Sequence, residues 1–270
     1  MADLLCLIRG GGDLATGVAW RLTRAGVAVV VTELPNPLTV RRTVALSTAV
    51  TAGTVDIEGM IGQLVPTAVE AVELARSSGG ERVGVVVSPE LPDLGTGRRA
   101  DVVVDARLAK RNIDTRIDDA PLVVGLGPGF TAGTDCDAVV ETMRGPHLGR
   151  VLWSGSAEPN TGVPGLVGGH GAERVIRAQR GGIVRWVRAI GDVVDDHEML
   201  GMVGDLPVLA PFAGVIRGLI LDGSDVTAGL KIGDVDGRLD AAACHEISDK
   251  ALAIGGGVVE AVLWWPHRPR

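Results

Sequence analysis

The strongest constraint on the fold is the start of the chain, where an apolar segment runs into three consecutive glycines. Residues 4–8 (LLCLI) are all apolar, as in a strand buried on both faces of a parallel sheet. Residues 14–24 are compatible with a helix that Gly26 ends, and residues 27–31 predict a second strand. The segment therefore predicts, in order, a strand, a glycine turn, a helix, a strand and the acidic residue Glu33.

The glycine turn matches the dinucleotide-binding fingerprint G-x-G-x-x-G/A of Rossmann-like domains, with Gly10, Gly12 and Ala15 at the spacing of that motif. Such glycines let the backbone approach a pyrophosphate at the positive end of the following helix. Glu33 lies 21 positions after Gly12, close to the ~20 expected for an acid that binds a ribose hydroxyl. The alternative is that the glycines serve only the turn and that Glu33 is solvated. The candidate site here comprises Gly10, Gly11, Gly12, Asp13, Ala15 and Glu33.

Arginines follow two of the predicted strands. Arg41 and Arg42 come after the helix-breaking segment Pro35-Asn36-Pro37, and Arg107 follows an apolar strand at residues 102–104. Guanidinium groups bind phosphates and carboxylates bidentately, which predicts that these arginines face an anionic ligand near the glycine turn. The alternative for Arg41 and Arg42 is a solvated helix face. Arg9, directly before the glycines, departs from the usual motif and either reshapes the site or binds a phosphate itself.

A second glycine-rich loop follows the predicted strand at residues 122–124. It spans residues 125–133, and backbone amides in such a loop can form an anion-binding nest. The candidate ligand contacts are Gly127, Gly129 and Thr131. We expect a short helix at residues 135–143 after it, with Asp137 and Glu141 on a solvated face. Cys136 is expected to be a small buried residue; the alternative is a reactive thiol whose pKa the start of the helix lowers.

The composition argues against several classes of function. The chain has 270 residues, of which 46% are hydrophobic, and a net charge of −7, so it can build a large core but has no basic character for general nucleic-acid binding. Its three cysteines are widely spaced, which predicts neither disulfides nor a metal site. With no basic leader and no apolar segment of about 20 residues, we expect a cytoplasmic protein that is not membrane-embedded.

The second half of the chain contains a repeat with an offset of 32 residues, in which residues 182–185 (GIVR) align with residues 214–217 (GVIR). Two such units resemble the flattened barrel-sandwich of biotinyl and lipoyl domains, but the hairpin at residues 204–207 lacks their modifiable lysine. The sequence thus predicts an α/β Rossmann-like domain over residues 1–165, a barrel-sandwich module over residues 175–245, and a C-terminal helix over residues 248–265 with Ser248 as its N-cap.

Six non-repetitive strings of the chain form one further pattern: residues 9–17 (RGGGDLATG), 41–42 (RR), 127–133 (GPGFTAG), 141–145 (ETMRG), 160–165 (NTGVPG) and 229–236 (GLKIGDVD). Together they resemble the YqeB family, which is associated with the maturation of selenium-dependent molybdenum hydroxylases. The family is distantly similar to maturation factors of xanthine and carbon monoxide dehydrogenases. This resemblance implies an accessory protein that binds a nucleotide or a molybdopterin dinucleotide and contacts a hydroxylase subunit. It supplies no catalytic residues.

Two other functions stay open at this point. In one, the chain is a non-enzymatic scaffold that binds a hydroxylase subunit, and its glycine loops only form turns. In the other, it is an NAD(P)-dependent oxidoreductase, although the chain has no tyrosine and offers no histidine in a recognisable motif as a proton donor. The sequence leaves a homo-oligomer open and assigns no metal ligands.

Overall fold

The computed structural model describes residues 3–95, 97–162 and 169–267. The chain divides into two compact units. The first unit combines Met1–Pro37, Ala45–Asn160 and Ile247–Arg270, and the second combines Leu38–Val44 with Thr161–Glu246. Part of the predicted loop around the boundary at residue 165 lies outside the described residues, and the three predicted domain boundaries stay predictions.

The first unit is built on a mostly parallel nine-stranded sheet in the order β10-β9-β7-β6-β1-β2-β5-β4-β3, in which the two edge strands β10 and β3 run antiparallel to their neighbours. Two further short strands, β8 and β11, pair with each other. The strands of this unit are β1 (Leu5–Arg9), β2 (Ala28–Glu33), β3 (Thr54–Ile57), β4 (Met60–Leu64), β5 (Arg82–Val87), β6 (Val102–Asp105), β7 (Leu122–Leu126), β8 (Thr131–Ala132), β9 (Ala138–Val140), β10 (Val151–Leu152) and β11 (Gly155–Ser156).

The neighbouring strands β1, β6 and β7 are buried along their whole length, because mostly apolar residues fill both faces of the sheet there. All five residues of β1 and all four of β6 are buried. Leu5, Leu7 and Val30 belong to the core cluster that also holds Ala71 and Val72 of the third helix. The helices are α1 (Asp13–Arg24), α2 (Ala49–Ala52), α3 (Ala68–Ser77) and α4 (Asp249–Trp264).

Helices α1 and α4 cross at very close range because glycines line the contact. A Cβ on Gly17 would lie 2.4 Å from the carbonyl oxygen of Ala251, and one on Gly255 would lie 2.4 Å from the carbonyl oxygen of Gly17. Helix α4 begins where the sequence predicts, since the Ser248 side chain accepts a hydrogen bond from the Ala251 amide at 3.1 Å. The C-terminal helix is therefore confirmed and forms part of the first unit.

The second unit consists of two four-stranded antiparallel sheets, β12-β19-β17-β14 and β16-β15-β13-β18. Three pairs of equivalent strands in the repeat start 32 positions apart, namely β13 and β17, β14 and β18, and β15 and β19. Each sheet contains strands from both halves of the repeat, since β14 pairs with β17 and β18 pairs with β13. The two halves are thus interlocked. The strands are β12 (Val175–Arg177), β13 (Gly182–Trp186), β14 (Val193–Val194), β15 (Met199–Val203), β16 (Leu206–Leu209), β17 (Gly214–Leu219), β18 (Asp225–Val226) and β19 (Lys231–Asp236).

The helix predicted at residues 135–143 is wrong. Residues Ala138–Val140 form β9 instead, which pairs in parallel with β7 and is fully buried. Its two acids are not on a solvated helix face: Asp137 accepts the Val123 amide at 2.8 Å, and Glu141 is 2% exposed and accepts the amides of Met143 and Glu158. A buried position in the sheet outweighs the local turn and helix signals that suggested a helix.

Candidate functional site

The strand order reverses direction at β1, which lies between β2 on one side and β6 on the other. From β1 the chain runs outward through β2, and it later returns to place β6 on the other side of β1. In open α/β sheets, ligands bind outside the carboxyl ends of the strands at such a topological switch point. The glycine turn after β1 and the arginine-bearing segment after β6 both leave from this position.

A buried polar cluster lies at the carboxyl ends of β1 and β6. Arg9 ends β1 and Asp105 ends β6, and the two residues are direct neighbours in the register of the sheet. Both are 2% exposed. Thr115 donates a hydrogen bond from its hydroxyl to the Asp105 carboxylate at 2.6 Å, and Arg107 donates to the same carboxylate through its Nε at 3.1 Å.

Asp114 closes the cluster on its exposed side. Its Oδ1 lies 2.8 Å from a terminal nitrogen of Arg9 and 2.8 Å from one of Arg107, and its Oδ2 lies 3.1 Å from the second terminal nitrogen of Arg9. The hydrogen bond from Arg9, with a further one from Arg107, lowers the pKa of the Asp114 carboxyl although burial opposes the shift. The cluster thus contains two cations and two anions.

Two of the three glycines in the turn are required by the protein's own backbone. Gly10 has a φ of +90°, and a Cβ there would lie 3.2 Å from the Cα of Arg107. A Cβ on Gly11 would lie 2.8 Å from the backbone nitrogen of Ser47, whose amide donates to the Gly11 carbonyl. The chain therefore needs these two glycines whether or not a ligand binds.

Gly12 is different, because a Cβ there would meet no atom within 4 Å. It is the N-cap of α1 but supplies no side chain to the helix amides, and Asp13 and Ala15 follow in the first turn. Glu33 lies beside this helix end: its two carboxylate oxygens accept the amides of Gly11 and Leu34, each at 2.7 Å. The space next to Gly12 at the start of α1 is thus open, and the Glu33 carboxylate binds the amide of the residue before it.

The second glycine-rich loop lies at the same edge of the sheet and supports the segment after β6. The Gly129 carbonyl accepts the Asn112 amide at 3.0 Å, and a Cβ on Gly129 would lie 2.5 Å from the backbone of Arg111. A Cβ on Gly127 would lie 2.3 Å from the Thr142 hydroxyl. The Thr131 hydroxyl pairs with that of Ser156 at 3.0 Å. These observations give the loop a packing role, and its predicted ligand contacts stay predictions.

Arg41 and Arg42 belong to the second unit. Arg41 is 8% exposed and donates to the carbonyl oxygens of Ala243 and Glu246 at 3.2 and 3.1 Å. Arg42 donates from its Nε to the carbonyl oxygen of Leu219 at 2.8 Å. Both guanidinium groups therefore bind backbone carbonyls, and the predicted solvated helix face does not describe Arg41.

Sequence reasoning singled out Arg9 and Arg107 but missed Asp105, Asp114 and Thr115 as members of the same cluster. Asp105 was detectable as the residue that ends a buried strand next to the switch point. Asp114 and Thr115 lie in a segment with no periodic pattern, and only the tertiary structure brings them to Arg9, which is more than 100 positions away.

The fold and the cluster define a class of protein: a mixed α/β protein with a large, mostly parallel sheet, a polar cluster at its switch point, a C-terminal helix and a separate unit of small antiparallel sheets. The chain is 45% identical over 264 residues, or 98% of its length, to a protein of Escherichia coli (strain K12) described as "Uncharacterized protein YqeB". It spans about half (48%) of that relative's length. The chain belongs to the YqeB family.

Comparisons with protein families and with solved structures do not assign a function to the chain. No protein-family model matches the chain. A succinylglutamate desuccinylase/aspartoacylase from Rhodobacter sphaeroides aligns with 87% of this chain and 84% of its own, at 13% identity and a TM-score of 0.28, which is too low to carry an argument. Among the residues that the structure describes, none of the helices is long and apolar enough to span a membrane.

Proposed function

We propose that this chain is a cytoplasmic accessory protein of a molybdenum hydroxylase system that binds an anionic cofactor of the dinucleotide type, such as a molybdopterin dinucleotide. The cofactor would lie across the switch point, with its diphosphate at the start of α1. The family resemblance supports the link to a hydroxylase. The strand order at β1 and the open position at Gly12 support the binding site.

The observation that carries the proposal is the open position at Gly12. A helix of 12 residues starts there without a side chain from the N-cap residue, and the positive end of such a helix favours a phosphate. Asp13 in the first turn accepts the Leu14 amide at 3.0 Å. The Glu33 carboxylate accepts one amide on each oxygen, which leaves a lone pair on each oxygen for a hydroxyl donor. A diphosphate at Gly12 and a ribose at Glu33 would therefore each meet a group of suitable chemistry.

The proposal includes a Rossmann-like fold for the first unit and a barrel-sandwich fold for the second. The strand order around β1 supports a Rossmann-like interpretation of the first unit, because its nucleotide site would coincide with the observed reversal. The interlocked sheets of the second unit support a barrel-sandwich interpretation. Without a lysine in the turn between β15 and β16, this unit would contact a partner rather than carry a covalent cofactor.

The direct test is the substitution Gly12→Asp. The new carboxylate would cap α1 and occupy the place of the phosphate, so we expect binding to weaken by at least about tenfold while folding is preserved or improved by a few tenths of a kcal/mol. Calorimetry with NAD⁺, FAD and CDP measures binding to the wild type and the variant. Native mass spectrometry of the purified wild type detects any retained molybdopterin dinucleotide.

Gly256→Asp is the matched control, because a Cβ on Gly256 also meets no atom within 4 Å but lies on α4. It should bind like the wild type. The proposal fails if the wild type retains no cofactor and binds none of the three nucleotides saturably. It also fails if the Gly12→Asp protein binds as tightly as the wild type.

A scaffold function is the second candidate, and the packing of Gly10 and Gly11 favours it. Both glycines contact protein backbone, so the motif has a structural explanation without a ligand. A scaffold would bind a hydroxylase subunit equally well whether position 12 holds the native glycine or an aspartate. Co-purification of the subunit that survives Gly12→Asp, in the absence of any nucleotide binding, would favour the scaffold.

A further inference from the structure

The Asp114 carboxylate binds Arg9 and Arg107 with the same kind of contacts that a bound phosphate would make. Arg9 presents two terminal nitrogens to the two oxygens of this carboxylate, at 2.8 and 3.1 Å, and Arg107 adds a third contact at 2.8 Å. Forked, charge-assisted contacts of this kind are how arginine recognises phosphates as well as carboxylates.

The two aspartates of the cluster differ in exposure. The Asp105 side chain is 2% exposed and is fixed by Thr115 and Arg107, whereas the Asp114 side chain is 47% exposed. An exposed carboxylate regains hydration when it leaves its partners, but a buried guanidinium such as Arg9 does not. Asp114 is therefore the partner that an incoming anion can replace.

We propose that Arg9 and Arg107 form a phosphate-binding site and that Asp114 occupies it when no ligand is bound. This inference depends on the proposed function for the location of the ligand, and it deepens that function by naming the residues that hold a phosphate and the one that competes with it. Replacement of one anion by another keeps both arginines neutralised, so the exchange leaves no buried charge unpaired.

The segment that carries Asp114 fits this role. Leu108 and Lys110, which lie between Arg107 and Asp114, have φ values of +54° and +63°, a region that residues with a Cβ rarely adopt. Such strain persists only where surrounding contacts hold it in place. Asp114 lies four positions after Lys110, so replacement of its ion pairs by a ligand would free this end of the segment to change conformation.

The test uses Asp114→Asn in the full chain, with inorganic pyrophosphate as the probe. Removal of the competing carboxylate should strengthen pyrophosphate binding by about tenfold or more, because the site no longer has to be vacated first. Asp118→Asn is the matched control: it makes the same charge change at an exposed position in the same segment and should bind like the wild type. Calorimetry measures the affinities.

Asp114→Asn also leaves Arg9 without its anion and so should unfold more easily. Its Tm should then rise more on addition of pyrophosphate than that of the wild type, and Arg107→Gln should abolish the gain in the double variant. The inference is overturned if Asp114→Asn binds pyrophosphate no better than Asp118→Asn and is not stabilised by it. Saturable binding of malonate in place of pyrophosphate would overturn the assignment to phosphate.

The outcomes separate this inference from the proposed function. In one outcome, the wild type binds a nucleotide and Gly12→Asp prevents this binding, but Asp114→Asn does not raise the affinity for pyrophosphate. The phosphate site at Arg9 and Arg107 is then wrong, and the proposed function stands. If Asp114→Asn gains pyrophosphate affinity and no nucleotide binds to any form, the anion site stands and the dinucleotide proposal fails.

Discussion

At the scale of single residues, the glycine turn shows why a short motif is weak evidence for a ligand. Gly10 and Gly11 are each required by a close approach of protein backbone, and only Gly12 of the three faces open space. A glycine in a motif indicates that a side chain does not fit at that position. It does not indicate whether a ligand or the protein itself fills the space. The same residue types therefore serve a ligand, a neighbouring loop, or both.

The cysteines give a prediction at this scale. All three are buried free thiols, and burial raises the pKa of each of them, to about 12 for Cys136. Because the thiolate is the reactive form, the native protein should resist alkylation by iodoacetamide at pH 8. Mass spectrometry should find no labelled cysteine in the native chain and three after denaturation in guanidinium chloride. Rapid labelling of native Cys136 would contradict its burial in the first unit.

At the scale of secondary-structure elements, the crossing of α1 and α4 depends on glycines that helix propensity disfavours. Glycine costs about 1 kcal/mol relative to alanine in a helix, but Gly17 and Gly255 let the two backbones approach closely. Both helices, and Ser248 as the cap of α4, were predictable from the sequence, but no local pattern indicated that the two helices pack together.

Alanine substitutions test this contact. Gly17→Ala should lower the free energy of unfolding by about 2 kcal/mol or more, because the added methyl would lie 2.4 Å from the Ala251 carbonyl and the helices must separate. Urea unfolding followed by circular dichroism measures the change. Gly256→Ala, next to Gly255 on α4 but with nothing near its Cβ, should be neutral or stabilising by up to about 1 kcal/mol. Equal effects of the two substitutions would rule out the close crossing.

At the scale of the whole molecule, the free energy of unfolding should fall at acidic pH because of a buried charged cluster in the second unit. Asp236 is 4% exposed; burial alone would raise its pKa, but hydrogen bonds from Arg238 and the charges of Arg238 and Arg217 lower it to about 2. A carboxyl whose pKa is lowered on folding stabilises the folded state above its unfolded pKa of about 4. That contribution, about 2 kcal/mol, is lost as the pH falls from about 4 towards about 2.

Urea unfolding at pH 7, 4 and 3 checks this prediction. Asp236→Asn should be less stable than the wild type at pH 7, and the difference should shrink at pH 3. Asp205→Asn removes an exposed carboxylate paired with Arg180 and should show little change at any pH. An Asp236→Asn protein with wild-type acid sensitivity would exclude this residue as a source of the acid dependence.

Elements with local signals could be predicted from the amino-acid sequence alone. The apolar strands β1, β2, β6 and β7, the helix after the glycine turn and the capped C-terminal helix are each indicated by residues that are neighbours along the chain, and the 32-residue repeat is visible by direct comparison of the two segments. Three features emerged only from the folded chain: residues 138–140 form a strand rather than a helix, Gly10 and Gly11 pack on backbone, and Asp114 pairs with Arg9. These features depend on contacts between distant segments, and no local pattern encodes which groups a fold will bring together.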